Sequence, residues 1–409
     1  MKYILLIGDG MGDTPIPELG YKTPLEAANK PVIDRLSAEG ELMLVRTVPE
    51  GYPPGSDVAN LSLLGYAPEK YYTGRAPLEA ASMGIEIGAD EIAFRCNLVT
   101  VDRPAPEKVT MLDHSAGHIT NQEAAELIGA VQENCGTDQI KFYPGVSYRH
   151  IMVYRGDAPS LTTMPPHDYL DQDVTGYYQD YLKVEPFKTL MEKSSQILTD
   201  HPVNANRASK GKNPANSLWL WGEGKPLILE QFSNRFGLTG SLISAVDLLK
   251  GIGKCAGLDV LHVEGATGYL DTNYEGKAQA ALDALADQDF VVVHIEAPDE
   301  AGHQGLAQEK KQAIEDFDSR IVKPIVAEME RRDEPFRLIV TMDHYTPLAR
   351  RTHESWPVPM VLYDSRGVKN PSGLSYTEEN GQEAVRKNGL NLASGPDFIN
   401  RFINPGNTK

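Results

Sequence analysis

Ser56 lies in the stretch Pro53-Pro54-Gly55-Ser56-Asp57-Val58-Ala59-Asn60-Leu61-Ser62. Two prolines and a glycine force a turn, and the apolar-periodic run Val58, Leu61, Leu63, Leu64 follows at once. The spacing predicts a helix with Ser56 at its N-cap, the hydroxyl beside free backbone N–H groups. Such a helix end favours an anion, because the exposed donors and the helix dipole carry positive potential. Taken alone, Ser56 reads as a capping serine. The carboxylates and imidazoles that the rest of the chain brings to the same place change that reading.

Residues 3–7 run into Gly8-Asp9-Gly10, residues 290–295 stop four residues before Asp299, and residues 337–342 run into Asp343-His344. Continuous apolar runs of this length suit strands buried on both faces of a parallel sheet, whose carboxyl ends share one edge. His303 follows Asp299 by four residues, and His353 stands in a turn ahead of Pro357. Singly, Asp343-His344 could be a hydrogen-bonded turn pair and Asp299 a helix cap. Together, carboxylates clustered without cations would repel one another, so the arrangement calls for metal. Mixed Asp/His ligation suits Mn²⁺ or Zn²⁺, with Co²⁺ or Mg²⁺ as further candidates, although Mg²⁺ tends toward all-oxygen shells. A metal beside Ser56 would lower the pKa of its hydroxyl, and a second could hold phosphoryl oxygens. His294 and His262 fall within apolar strands and read as core histidines. Asp13, His114, His118, His167 and Asp168 are open, and residues 113–118 suit either a substrate contact or a polar loop.

The elements that must position these groups follow from the patterning. Residues 31–40 read as a helix, with Pro31 at its start and Gly40 as its stop. Beyond Gly84 the texture changes. Residues 92–101 are β-like with Arg95 and Asn97 on one face, 122–132 carry a helical stripe, 148–154 resemble a strand, and 157–166 are loop-like. This predicts a small α/β domain, residues 86–175, inserted into a core formed by 1–85 and 176–409. Residues 177–198 read as helix, 201–216 as an extended loop leading to the apolar stretch 218–221, and 241–250 as a helix stopped by Gly251. Gly251-Ile252-Gly253 follows that helix rather than a strand, which argues against a dinucleotide site. Residues 307–329 read as a helix that Pro324 would kink, 358–363 as a fourth strand, and the tail beyond 370 as loop and short helix.

The 409 residues carry a net charge of −18 with 41% hydrophobic content. That argues against nucleic acid or an anionic membrane as the main partner, and an anionic substrate would need local arginine, lysine or metal. Three scattered cysteines give no disulfide framework and fit a reducing cytoplasm. The N-terminal apolar run is too short for a signal sequence or a membrane span.

In combination, Gly8-Asp9-Gly10-Met11-Gly12-Asp13, Gly55 through Ser62, Asp299-Glu300-Ala301-Gly302-His303, Asp343-His344-Tyr345-Thr346-Pro347, and His353 ahead of Pro357-Val358-Pro359 resemble the cofactor-independent phosphoglycerate mutases. The closer likeness is to their shorter, archaeal-type branch in the alkaline phosphatase superfamily, and it covers essentially the whole chain. The resemblance implies an alkaline-phosphatase-like α/β core, with a mostly parallel sheet flanked by helices and a smaller inserted α/β domain. It implies that Asp9, Ser56, Asp343 and His344 hold one ion, that Asp299, His303 and His353 hold the other, and that Ser56 becomes phosphorylated. Arg95, Arg149, His150 and Lys277 are the candidates for gripping phosphate and carboxylate, since arginine does so bidentately; Arg75 suits a structural role. The implied reaction moves the phosphoryl group of 3-phosphoglycerate to Ser56 and then to the 2-hydroxyl of glycerate held by the inserted domain. Domain closure about hinges near 85 and 175 would exclude water. Residues 71–81 and 265–274 resemble a bacterial subgroup proposed to act as homoserine kinases, so a kinase is one alternative and a phosphatase of the superfamily another. The chain has no G-x-x-x-x-G-K-[ST] loop to support a nucleotide.

Overall fold

The apolar runs become strands. In chain order these are β1 (Lys2–Gly8), β2 (Glu41–Val45), β3 (Glu91–Ala105), β4 (Lys108–Asp113), β5 (Ile140–Tyr143), β6 (Arg149–Arg155), β7 (Ser217–Gly224), β8 (Gly240–Ile243), β9 (Asp259–Val260), β10 (Phe290–Ile295), β11 (Phe336–Thr341), β12 (Val358–Asp364) and β13 (Asn391–Leu392). The computed structural model describes residues 1–105, 108–157 and 159–404. Residue 158 of the loop read at 157–166, and residues 405–409 of the tail, lie outside the described residues. The chain divides into two compact units, Met1–Tyr72 with Ile228–Lys409, and Thr73–Leu227.

The first unit is a sheet in the order β13-β2-β12-β11-β1-β10-β8-β9. β1 pairs in parallel with β10 and β11, placing Gly8 beside Ile295 and Ile7 beside Thr341, so three strand ends meet at one edge. β12 runs antiparallel to β11, so its first residues, just after His353, reach that same edge. Side chains alternate along each strand. Ile4 and Leu6 pack into a core with Ile33, Leu36, Ile314 and Phe317, while neighbouring Tyr3 meets Phe402 edge-on at 5.5 Å. Burial on both faces explains the unbroken apolar runs, each fully buried Leu or Ile contributing about 1.5–3 kcal/mol.

Three readings of this unit change. Residues 241–243 are strand β8, paired in parallel with β10, and the helix begins at Asp247 and runs to Ala256 with Gly257 as its left-handed stop. Gly251 and Gly253 lie inside that helix; a Cβ on Gly253 would come 3.1 Å from Val260 and 3.4 Å from Leu242, so the glycine permits close packing on the sheet. The long helix after Ala307 does not simply kink. It passes through a π-helical segment, Phe317–Val322, before Pro324 continues it to Arg332. Since proline offers no N–H, a change of hydrogen-bond register just ahead of it is the physical form the disturbance takes. The tail holds two regular helices, Glu378–Asn388 and Gly395–Ile403.

The second unit is a sheet in the order β4-β3-β6-β5, with β7 also on β3. Phe94, Cys96 and Leu98 face helices Asn121–Cys135 and Phe187–Asp200, while Ala93 packs with Ala76, Ala80 and Ile151 on the other face. The unit is wider than the expected 86–175 because helix Arg75–Ser82 covers that second face and strand β7 completes the sheet. The expected helix at 177–198 is two helices, Thr175–Leu182 and Phe187–Asp200, separated around Pro186. The stretch 201–216, expected as loop, contains helix Pro202–Ser209. Its polarity is satisfied internally: Asn204 bonds Leu198 O and Ala215 O, and Arg207 bonds Asn213 O and Glu123.

Candidate active site

Ser56 is the first residue of helix Ser56–Leu63, and Gly55 takes the N-cap position. Asp57 accepts from Val58 N at 3.0 Å, meeting one of the free helix donors, and Tyr72 donates to the same carboxylate at 2.7 Å. The serine is thereby released from the capping duty expected of it. Its Oγ stands 3.1 Å from His344 Nε2 and 3.4 Å from Asp9 Oδ2.

Asp9 follows β1 and Asp343 follows β11, so their convergence is a direct product of the parallel register. Backbone donors lock Asp343: Gly10 N and His344 N reach Oδ1 at 3.2 and 2.9 Å, and Asn60 Nδ2 reaches Oδ2 at 2.9 Å. Asn60 also donates to Ser56 O, so one amide ties the serine helix to this carboxylate. His344 Nε2 lies 3.4 Å from Asp9 Oδ1 and 3.6 Å from Asp343 Oδ2. Burial, then the charges of Asp343 and Asp299, push the Asp9 carboxyl well above its usual range. Asp343 is pushed up by burial too, but the imidazoles of His344 and His294 outweigh that and hold it low.

The second set adjoins the first. Helix Ala297–Gln304 presents Asp299 and His303 one turn apart, with His303 Nε2 3.2 Å from Asp299 Oδ2. His353 Nε2 lies 3.5 Å from Asp299 Oδ1 and 2.9 Å from His303 Nε2. His303 Nδ1 donates to Arg351 O at 3.0 Å and His353 Nδ1 to Pro54 O at 3.3 Å, since a carbonyl can only accept. Both Nε2 atoms are left facing each other, a geometry that needs a proton or a cation between them. Burial opposes protonation of His303, but Asp299 outweighs it and lifts that imidazole to about 9.

All seven residues expected to ligate metal converge at this edge, with His344 lying between the two expected sets, its ring 4.1 Å from that of His353. The donor chemistry fits divalent cations: Asp9 Oδ1 is buried without a hydrogen bond among the described residues, and the pooled Asp and His donors suit mixed-ligand ions. Asp299, His344 and His353 also form a tight triplet, as do Asp9, His294 and Asp343. His294 is the residue that pattern reading set aside. It occupies the penultimate position of β10, fully buried as expected of a core histidine, but its Nε2 lies 3.2 Å from Asp9 Oδ2. The available signal was position: in a parallel sheet a strand's last residues border the site. His262, also read as core, is exposed beyond the end of β9.

The expected substrate residues separate. In the second unit, Arg95 and Asn97 alternate onto one face of β3, and Asn97 pairs with Arg149. Arg95 Cζ lies 4.0 Å from the Trp221 ring centroid, and its Nε is 3.0 Å from Glu79. Arg75 approaches the same ring at 6.0 Å and His167 at 5.6 Å. Arg149 lies 5.5 Å over Tyr148, whose ring also meets His114. Burial, then the pull of Glu79 against the charges of Arg75 and Arg149, leaves Arg95 at about 10. His167 falls to about 4 by burial, against the opposing pull of Asp168, and by the charges of Arg75 and Arg95. His150 pairs with Cys96, so strand alternation turns it to the core face, away from Arg95 and Arg149; it accepts from Gly145 N at 3.0 Å. The 113–118 segment is a tight polar loop in which Asp113 binds Ser115 N and Gly117 N, leaving His114 beside His167. Lys277, in the first unit on helix Tyr274–Asp287, is fully buried, its Nζ without a hydrogen bond among the described residues. Burial, only partly offset by Glu296, lowers it to about 8.

Comparisons with known proteins agree with this arrangement. Residues 37–204 match the family described as 2,3-bisphosphoglycerate-independent phosphoglycerate mutase. The chain is 50% identical over 404 residues, 98% of its length and 100% of the relative's, to the 2,3-bisphosphoglycerate-independent phosphoglycerate mutase of Methanosarcina acetivorans. Among solved structures it resembles the PH0037 protein of Pyrococcus horikoshii, with a TM-score of 0.80 and 29% identity over 100% of this chain and 98% of that one. It also resembles the cofactor-independent phosphoglycerate mutase of Thermoplasma acidophilum, with a TM-score of 0.60 and 27% identity over 93% and 95% of the two chains. With a carboxylate–imidazole edge around a freed serine, and identity of this order along nearly its whole length, the chain belongs to the 2,3-bisphosphoglycerate-independent phosphoglycerate mutase family.

Proposed function

We propose that this chain interconverts 3-phosphoglycerate and 2-phosphoglycerate through a phosphoserine at Ser56. The observation that carries this reading is the Ser56 hydroxyl itself, first in its helix, free of capping and set against His344 and Asp9. Asp9, Ser56, Asp343 and His344 would hold one divalent ion and Asp299, His303 and His353 another, Mn²⁺ being the best match to this mixed donor set. Such ions lower the pKa of a serine hydroxyl and neutralise phosphoryl oxygens.

Ser56 Oγ gives up its proton and attacks phosphorus as the bond to the C3 oxygen of the substrate breaks, and that oxygen takes up a proton. The 2-hydroxyl of glycerate then attacks the phosphoserine, losing its proton as Ser56 regains one, so no water is consumed. Asn60 keeps the serine helix in register with Asp343 during both steps. Lys277 supplies a buried positive group with its Nζ uncommitted among the described residues, suited to a phosphoryl oxygen. In the second unit, Arg75, Arg95 and Arg149 form the anion-binding cluster for phosphate and carboxylate.

Metal-stripped protein refilled with Mn²⁺ is expected to convert 3-phosphoglycerate to 2-phosphoglycerate without ATP. Ser56→Ala should lower turnover by about 10³-fold or more and abolish transfer of radiolabelled phosphoryl to the protein. Full turnover in Ser56→Ala, or ADP formation from ATP and homoserine in place of mutase activity, would overturn the proposal.

A further inference from the structure

Every imidazole in the expected metal sets has the same wiring. His303 and His353 donate Nδ1–H to the carbonyls of Arg351 and Pro54. His344 Nδ1 lies 3.3 Å from Thr346 Oγ1, whose own proton goes to the Asp299 carboxylate, so Thr346 accepts from His344. In each case Nδ1 is tied outward and Nε2 is aimed into the cluster. This is the arrangement a metal-binding histidine needs, because the outer hydrogen bond fixes both the tautomer and the ring orientation.

The same wiring is open to His294. Its Nδ1 lies 3.4 Å from Ser244 Oγ, which already accepts Val246 N–H and has a second lone pair free for an imidazole donor. Its Nε2 lies 3.2 Å from Asp9 Oδ2 and 4.0 Å from Asp343 Oδ2. Despite that proximity it makes no hydrogen bond among the described residues, and neither does Asp9 Oδ1 beside it. Two fully buried polar groups, close together and both unsatisfied, are costly unless a third body lies between them. His294 also stands across the parallel register from Ile7, two residues before Asp9, so the strand pairing alone delivers it there.

We propose that His294 is a direct ligand to the cation centred on Asp9 and Asp343, which gives that ion a second imidazole besides His344. The inference rests on the two-metal reading of the site. The second imidazole makes this set richer in nitrogen than the Asp, Ser and His donors alone, which favours transition-metal ions over Mg²⁺.

The test uses the full chain with His303→Ala and His353→Ala, which leaves the Asp9 set as the remaining strong site, loaded with one equivalent of Mn²⁺. Pulsed electron paramagnetic resonance should show two imidazole nitrogens coupled to the manganese, and His294→Gln in that background should reduce them to one. The Mn²⁺ dissociation constant of the Asp9 set should rise by about tenfold or more in His294→Gln. Coupling and affinity both unchanged would overturn the assignment while leaving the two-metal reading standing. Absence of Mn²⁺ binding by the wild-type chain would overturn both. A Mn²⁺-loaded crystal of the wild-type protein decides the same question without any variant. His294 Nε2 within about 2.3 Å of the ion is the expected result, and a hydrogen bond to Asp9 with the ion out of reach is the contrary one.

Discussion

The first unit gathers Asp9, Asp299 and Asp343 with a ring of imidazoles at the end of a parallel sheet, whereas the second gathers Arg75, Arg95 and Arg149 around Trp221 and Tyr148. Both are charge concentrations, but they are held differently. At the acidic edge Asp9 and Asp343 follow strands in fixed register, and backbone N–H groups or carbonyls hold Asp343, His303 and His353. The basic cluster is held by side chains laid over aromatic rings and by one buried pair, Arg95–Glu79. A negative site built on backbone calls for cations and suits chemistry. A positive site built on side chains calls for an anion and suits grip.

That contrast predicts different kinetic signatures. The largest effect is expected at the acidic edge. Asp299→Asn removes the acceptor shared by His303, His353 and Thr346, so turnover should fall by about 10³-fold or more with loss of one Mn²⁺ equivalent. Calorimetric titration with Mn²⁺ would check the second part, and unchanged stoichiometry would refute it. In the basic cluster, Arg149→Met should raise KM for phosphoglycerate by about 10- to 100-fold, the cost of a charge-assisted bond. Its Mn²⁺ affinity should stay at the wild-type value, and a matching loss of metal would dissolve the distinction between the two regions.

The smallest effects are in pH dependence, and they have opposite signs in the two units. In the first, burial raises Glu378 from 4.5 to about 7, even though Thr23 and Asp13 N donate to it. The native state therefore holds that proton more tightly. Its contribution is complete below about 4.5 and is lost as pH rises through about 7. In the second, burial works to raise Asp113, but donors from Asn213, Ser115 and Gly117 outweigh it and take the carboxyl from 3.8 to about 2. Its contribution is present above 3.8 and is lost as pH falls through about 2. Melting temperatures of Glu378→Gln and Asp113→Asn against wild type, scanned from acid to neutral pH, should converge and diverge in those windows. Parallel curves would refute the assignments.

Much of the acidic edge was legible from residue order. Phe290–Ile295 forms the strand expected of it, since an apolar run interrupted by His294 alone has few other places to go in a parallel sheet. Asp9, Asp299 and Asp343 were legible because each falls just past such a run. Residues 241–243 were misread because helical periodicity is local, while their strand state depends on pairing with Val291–Val293 about fifty residues away. Helix Pro202–Ser209 was hidden for a related reason: its polar residues look solvated until Ala215, Asn213 and Glu123 supply their partners.

The sequence by itself determined the strand runs, the acids and imidazoles at their ends, and the family likeness, all of which depend on residue type and short spacing. Tertiary structure alone decided which imidazoles come together, and so placed His294 beside Asp9. It also set His150 on the face opposite Arg95 and Arg149, a matter of one residue in strand register. The limits of the second unit, Thr73–Leu227, were likewise its decision. Distances, facing directions and packing partners are properties of pairs remote in the chain, and spacing along one strand carries no record of them.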